Sequence, residues 1–225
     1  PVSTVSVLQS KSDAADRRLA VDGVVIGETG GLVSQKQQIL AHLPFLFSQN
    51  DAPQSVLTIG LGTGILSGEV LKNDRVQHLD CVELSPSVVE AAGFFSETNH
   101  RVLEDPRLRV HIGDGIRFVR QSQTRYDAII SDGKSATTHI GNAGFHSREY
   151  YAACRRRLKP SGLFVQWIPT DVSHIDLKTI VKTFTTAFAQ GVLVVHAPGS
   201  AFLVGGAEQL QIDPAFPAHP SELPG

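Results

Sequence analysis

The chain has 225 residues, 41% of them hydrophobic, which suffices for one α/β domain with a substantial core and does not call for two. Its 20 basic and 22 acidic residues nearly cancel, which argues against nucleic acid or an anionic membrane surface as the main partner. No stretch approaches the roughly 20 apolar residues that cross a bilayer, and Pro1–Asp16 lacks the apolar centre of a signal peptide, so the expectation is a soluble, cytoplasmic protein.

Ser3–Leu8 and Arg18–Ile26 read as two short strands joined by the polar Gln9–Asp16 and followed by a break at Gly30-Gly31, a hairpin-like β region over 1–34. Gln35–Phe47 sets Ile39, Leu40, Leu43 and Phe47 at helical spacing and leads through the connector Gln49–Gln54 into the main domain, 35–208. There strands at Ser55–Gly60, His78–Glu83, Leu108–Ile112, Tyr126–Ser131 and Gly162–Gln166 alternate with helices at Ile65–Lys72, Pro86–Ser96, Ile116–Gln121 and Ser147–Leu158. Such alternation predicts an α/β fold whose mostly parallel sheet is covered by helices on both faces. A helix around Ile175–Phe188 and a hairpin of Gly191–His196 with Ala201–Gly205 bring the sheet to seven strands, and 209–225 is a proline-rich tail. The Arg155–Arg157 run reads as a solvated helix end, its cations suited to the helix dipole. Cys81 and Cys154 read as reduced core thiols. The sequence contains no methionine, which fits a removed initiator or a longer parent chain.

In an open parallel sheet ligands bind beyond the carboxyl ends of the strands. The segment Ser55–Glu83 places Gly60, Gly62 and Gly64 straight after an apolar strand, where the backbone turns sharply and approaches a ligand that any Cβ would obstruct. Glu83 ends the next strand, where a carboxylate accepts hydrogen bonds from ribose hydroxyls, and Asp114 follows the third, where it suits an adenine amino group or caps the helix beginning at Gly115. The combination points to an adenosine-containing ligand. Asp132 follows the apolar strand Tyr126–Ser131 and is read as a carboxylate that takes a proton from an attacking amine or aligns a cationic substrate, the alternative being a turn residue for Gly133-Lys134. Thr137–Gly144 reads as a lid flanked by His139 and His146, and no metal-ligand spacing is found.

With these residues in view, the chain resembles the spermidine synthase family of polyamine aminopropyltransferases, in particular a bacterial spermidine synthase-like subgroup, with the Rossmann-like fold of class I S-adenosylmethionine-dependent methyltransferases. The likeness runs from Leu19 to Gly206 through Val21–Val24, QQILAHLP at Gln37–Pro44, VELSPSVVEAA at Val82–Ala92, Asp105–Arg107, Gly113–Gly115, Tyr126–Asp132 and Glu149–Gln166. The resemblance implies that Gln37, Gly60, Gly62, Thr63, Gly64, Glu83, Leu84, Asp114 and Gly115 hold decarboxylated S-adenosylmethionine. It further implies that Asp132 is the base on the attacking amine and that Lys36, Ser135, Tyr150, Gln166 and Trp167 border the acceptor, with Tyr150 free to line the cleft or pack the core. Aminopropyl transfer to a small-molecule amine, release of methylthioadenosine and a homodimer are the corresponding expectations.

Departures from the family pattern fall in one cleft. Thr63 and Ser135 stand where the family has aspartates, and Lys36 where it has a tyrosine, so two negative charges are lost and one positive gained. A dicationic amine is therefore expected to be disfavoured, and Lys36 and Lys134 are expected to attract a carboxylate. The alternatives are a methyltransferase, another alkyl transferase or cyclase using intact S-adenosylmethionine, or a non-catalytic nucleoside-binding homologue.

Overall fold

The computed structural model describes residues 3–48, 53–132, 144–197, 199–207 and 210. Its N-terminal unit is a three-stranded antiparallel sheet of β1 (Val5–Gln9), β2 (Arg17–Val21) and β3 (Val24–Glu28). The single strand expected over Arg18–Ile26 is thus corrected to two. Val21 pairs with Val24 across Asp22 and Gly23, whose φ angles of 51° and 79° make a two-residue turn matching the twist of the flanking strands. This sheet is anchored by Leu19, which packs with Val88, Ala91 and Phe95 of the main domain.

Helix α1 (Gly31–Phe47) begins four residues before the expected start and continues through Pro44, burying Leu40, Ala41, Leu43 and Phe47. The main sheet has seven strands in the order β6-β5-β4-β7-β8-β10-β9. They are β4 (Ser55–Ile59), β5 (His78–Glu83), β6 (Leu108–Ile112), β7 (Tyr126–Ser131), β8 (Leu158–Pro169), β9 (Gly191–Ala197) and β10 (Ser200–Gly206). Strands β4 to β8 run parallel, while β10 is antiparallel to both β8 and β9. The chain builds outward from β4 through β5 to β6, then returns to place β7 on the other flank. The order therefore reverses between β4 and β7, and crevices of ligand-binding folds open at such reversals.

Alternation along β7 shows how a central parallel strand sends apolar residues to both faces: Ala128 and Ile130 join one core with Leu40, Leu43 and Phe202, while Ile129 joins the other with Tyr151, Phe164 and Phe184. Helices α1 and α2 (Ile65–Leu71) contribute to the first core, and α4 (Gly115–Gln121), α5 (Arg148–Arg157) and α6 (His174–Ala187) to the second. Helix α3 (Pro86–Ala92) supports the N-terminal sheet, and its Pro86 occupies the first turn, where a missing N–H costs nothing. The Arg155–Arg157 run is largely solvated, as expected of a helix end, and two of its side chains also bond to carbonyls. Arg155 donates to Ala187 O at 2.9 Å and Arg157 to Val119 O at 3.3 Å. Cys81 and Cys154 are free and buried, and burial pushes the Cys81 thiol up to about 12. No helix among the described residues is long and apolar enough to cross a membrane.

Candidate active site at the carboxyl edge of the sheet

The glycine loop leaves β4 with φ angles of 92° at Gly60, 56° at Gly62 and 84° at Gly64, all in the region where a side chain strains the backbone. Three bonds fix its shape. Gly60 N donates to Val82 O at 2.8 Å, Leu61 N to Glu83 Oε2 at 2.9 Å, and Gly64 N to Leu61 O at 2.9 Å. A fourth tie comes from Asn99, fully buried, whose amide donates to Thr63 O and Ala92 O, each at 2.9 Å. The sequence reading gave Asn99 no part in the loop; a polar residue buried so deeply declares itself only once the fold is known.

Glu83 also accepts from Ser85 N at 3.0 Å, so each carboxylate oxygen holds one backbone N–H and keeps a lone pair for a hydroxyl. It thus braces the loop in addition to facing the edge. Asp114 is exposed and caps α4 by accepting from Arg117 N at 2.6 Å, the cap role anticipated as one alternative. Gly115 is buried, and a Cβ there would lie 2.6 Å from Ile59 Cγ2. Leu84, just after β5, and Ile112, the last residue of β6, are exposed apolar side chains, at 71% and 55%. Ile112 was not singled out from the sequence, although its place at the end of β6 was a signal for it.

Asp132 lies beyond β7, with its backbone N–H donating to Ile59 O at 3.3 Å, directly beside the glycine loop. Lys36 of α1 donates to its Oδ1 at 2.6 Å, and the two side chains are only 15% and 14% exposed. Gln37 donates to the other oxygen at 3.4 Å and accepts from Thr63 Oγ1 at 3.4 Å. The Lys36 ammonium also stands 4.5 Å from the centroid of the Trp167 ring, which is held by a 3.0 Å bond from its indole N–H to Ser200 Oγ. The fold therefore gathers Lys36, Gln37, Thr63, Asp132 and Trp167. Ser135, Lys134, His139 and all of the lid except Gly144 lie outside the described residues, as does the tail from Asp213.

Tyr150 and Gln166 are placed inside the protein rather than along an open cleft. Tyr150 donates to Ser131 Oγ at 3.0 Å, and burial raises its phenol well above the ordinary value. Gln166 donates to Phe145 O at 3.1 Å and accepts from Tyr151 OH at 2.8 Å. Together they hold 145–151 against β7 and β8. His146 Nδ1 lies 3.3 Å from Tyr151 OH. Since that hydroxyl's one proton goes to Gln166, the bond requires Nδ1–H, which leaves Nε2 an unprotonated lone pair with no partner among the described residues.

Burial lowers the His146 pKa. A base whose folded value is depressed contributes stability fully above the unfolded value of about 6.5, and that contribution falls as pH drops below it. His146→Phe is expected to flatten the loss of stability between neutral pH and mild acid. Urea midpoints measured across that range test this, and an unchanged slope contradicts it.

No group of three or more His, Cys, Asp or Glu residues suited to a metal ion occurs among the described residues. A family model described as "Spermine/spermidine synthase domain" matches residues 34–197. The chain is 36% identical over 151 residues to polyamine aminopropyltransferase 1 of Pseudomonas aeruginosa, covering 66% of this chain and 51% of that relative. It is 30% identical over 175 residues to a spermidine synthase of Dictyostelium discoideum, covering 77% and 60%. The chain thus spans between half and two thirds of these relatives' lengths. A crystal structure of a spermidine synthase in complex with the transition state analogue AdoDATO aligns with a TM-score of 0.76 at 25% identity, over 94% of this chain and 75% of that one. The spermidine synthase of Thermotoga maritima, 24% identical with a TM-score of 0.76 over 95% and 71%, shares the fold.

Proposed function

The chain belongs to the spermine/spermidine synthase family, and on that premise we propose that it moves an aminopropyl group from decarboxylated S-adenosylmethionine to an amine. The observation that carries the reading is the carboxylate of Asp132 set beside the glycine loop, in line with the edge bearing Glu83 and Asp114. In this scheme Glu83 takes the ribose hydroxyls on its remaining lone pairs, Asp114 the adenine amino group, and Leu84 and Ile112 the faces of the purine. The amine nitrogen attacks the carbon beside the sulfonium as the C–S bond breaks. The bonding pair leaves with sulfur as neutral methylthioadenosine, and the proton lost by nitrogen passes to Asp132. Alignment and proton removal are what the protein supplies.

The family expectation of a homodimer is part of the proposal, supported by Leu193 and Val195, exposed on the edge strand β9.

The test is to incubate the protein with decarboxylated or intact S-adenosylmethionine and a panel of amines, then search by mass spectrometry for methylthioadenosine and an alkylated amine. Methylthioadenosine formed only from the decarboxylated form supports the reading. Methylated product from the intact form overturns it. Gly62→Val is expected to abolish nucleoside binding in calorimetry, because a β-branched residue at a φ of 56° costs about 1–3 kcal/mol in the backbone and projects from the loop. Wild-type affinity in that variant moves the nucleoside away from the loop.

A further inference from the structure

A carboxylate and the face of an indole are two surfaces that proteins use to hold an ammonium ligand. Both exist at this edge, and both are already taken by the protein's own cation: Lys36 donates to Asp132 at 2.6 Å and stands 4.5 Å from the Trp167 centroid. Neither partner is free to swing away cheaply. Trp167 is tied to Ser200, Asp132 also receives Gln37, and the Lys36 side chain is only 15% exposed, so water screens its charge poorly. The negative charge of Asp132 is thus matched before any acceptor arrives.

We propose that Lys36 selects the acceptor by the charge at its far end, favouring amines with a neutral or anionic tail over α,ω-diamines. The inference rests on the aminopropyl-transfer reading and deepens it. One reacting amine finds a remaining lone pair on Asp132. A second ammonium four carbons away on the same molecule still feels the poorly screened Lys36 charge, while the carboxylate that could offset it is already matched. An uncharged tail escapes that repulsion, and a carboxylate tail gains the remaining N–H donors of Lys36.

Three four-carbon amines isolate the effect: butylamine, 4-aminobutyrate and 1,4-diaminobutane, which differ only in the far end. Their kcat/KM values with decarboxylated S-adenosylmethionine are to be measured for the wild type, Lys36→Gln and Lys36→Arg. The diamine is expected to be the poorest wild-type acceptor. Lys36→Gln should raise the diamine relative to butylamine by about tenfold or more and weaken 4-aminobutyrate, while Lys36→Arg keeps the wild-type order. A wild type that prefers the diamine, with a ratio unmoved by Lys36→Gln, overturns the proposal. Binding of the same amines in the presence of methylthioadenosine, read by calorimetry, gives those ratios without turnover. If no amine is alkylated by any form, the transfer reading falls, and the binding ratios still decide charge selection. Failure of all three amines to bind overturns it.

Discussion

Asp132→Asn is expected to lower turnover by about 10²–10⁴-fold, the range for loss of a positioned proton acceptor, while nucleoside affinity stays nearly unchanged. Asparagine keeps the shape of the side chain, and its carbonyl oxygen can still accept from Lys36, so the ties of α1 to the end of β7 survive in part. What it cannot do is take a proton. It also leaves the Lys36 ammonium, mostly buried, without a countercharge. In the proposed scheme that charge faces the acceptor and Glu83 holds the ribose, so the loss should appear in the chemical step. Single-turnover rates with a saturating amine, beside calorimetry with methylthioadenosine, separate the two effects. Wild-type turnover in the variant removes Asp132 from proton transfer, and a parallel collapse of nucleoside affinity makes it a structural residue.

Glu69→Gln is expected to cost stability more than activity. Glu69 lies buried in α2, with Lys72 Nζ at 2.9 Å and His100 Nε2 at 3.0 Å on one oxygen and His42 Nε2 at 3.3 Å on the other. Burial by itself raises the pKa of this carboxyl, but the bonds from His42, His100 and Lys72 outweigh it and hold the group at about 2, below its usual 4.5. A carboxyl depressed in the folded state adds stability above its unfolded pKa and loses it as pH falls through the folded value. At neutral pH the shift corresponds to about 2–3 kcal/mol, once the half-exposed partners are allowed for. The deficit of Glu69→Gln should therefore be full at pH 7 and shrink steadily between about pH 4.5 and 2. Urea unfolding of both proteins across that range measures it. Equal midpoints at pH 7 would show that the cluster contributes no net stability.

Much of the main sheet could be read from the chain because its parallel strands are short stretches rich in apolar residues that end at or just before a glycine or a polar residue. His78–Glu83, Leu108–Ile112 and Tyr126–Ser131 are observed with the expected bounds. Elements went astray where local chemistry and tertiary pairing disagree. Pro160-Ser161-Gly162 signals the end of a helix, and α5 does end at Arg157, but the strand expected from Gly162 starts at Leu158, which pairs with Tyr126 before a register shift carries the ladder to Ala128 and Leu163. In β2 and β3 two apolar runs are separated only by Asp22-Gly23, and the turn chemistry of that dipeptide was the better guide.

The candidate site divides in the same way. Glu83 ends a strand of the parallel sheet and Gly60, Asp114 and Asp132 come just after one, so topology alone brings them to one edge. The Lys36–Asp132 pair joins residues 96 positions apart, and the lone pair on His146 follows from a chain of three side chains. Neither has a local signature. Both exist only after the helix or the connecting segment has docked.

One amide has a reach out of proportion to its size. By holding Thr63 O and Ala92 O at once, Asn99 ties the curve of the glycine loop to the end of α3. The same α3 carries Val88 and Ala91, against which Leu19 rests. The N-terminal sheet is thus joined to the loop by an unbroken run of contacts, one link of which is a side chain outside the proposed site.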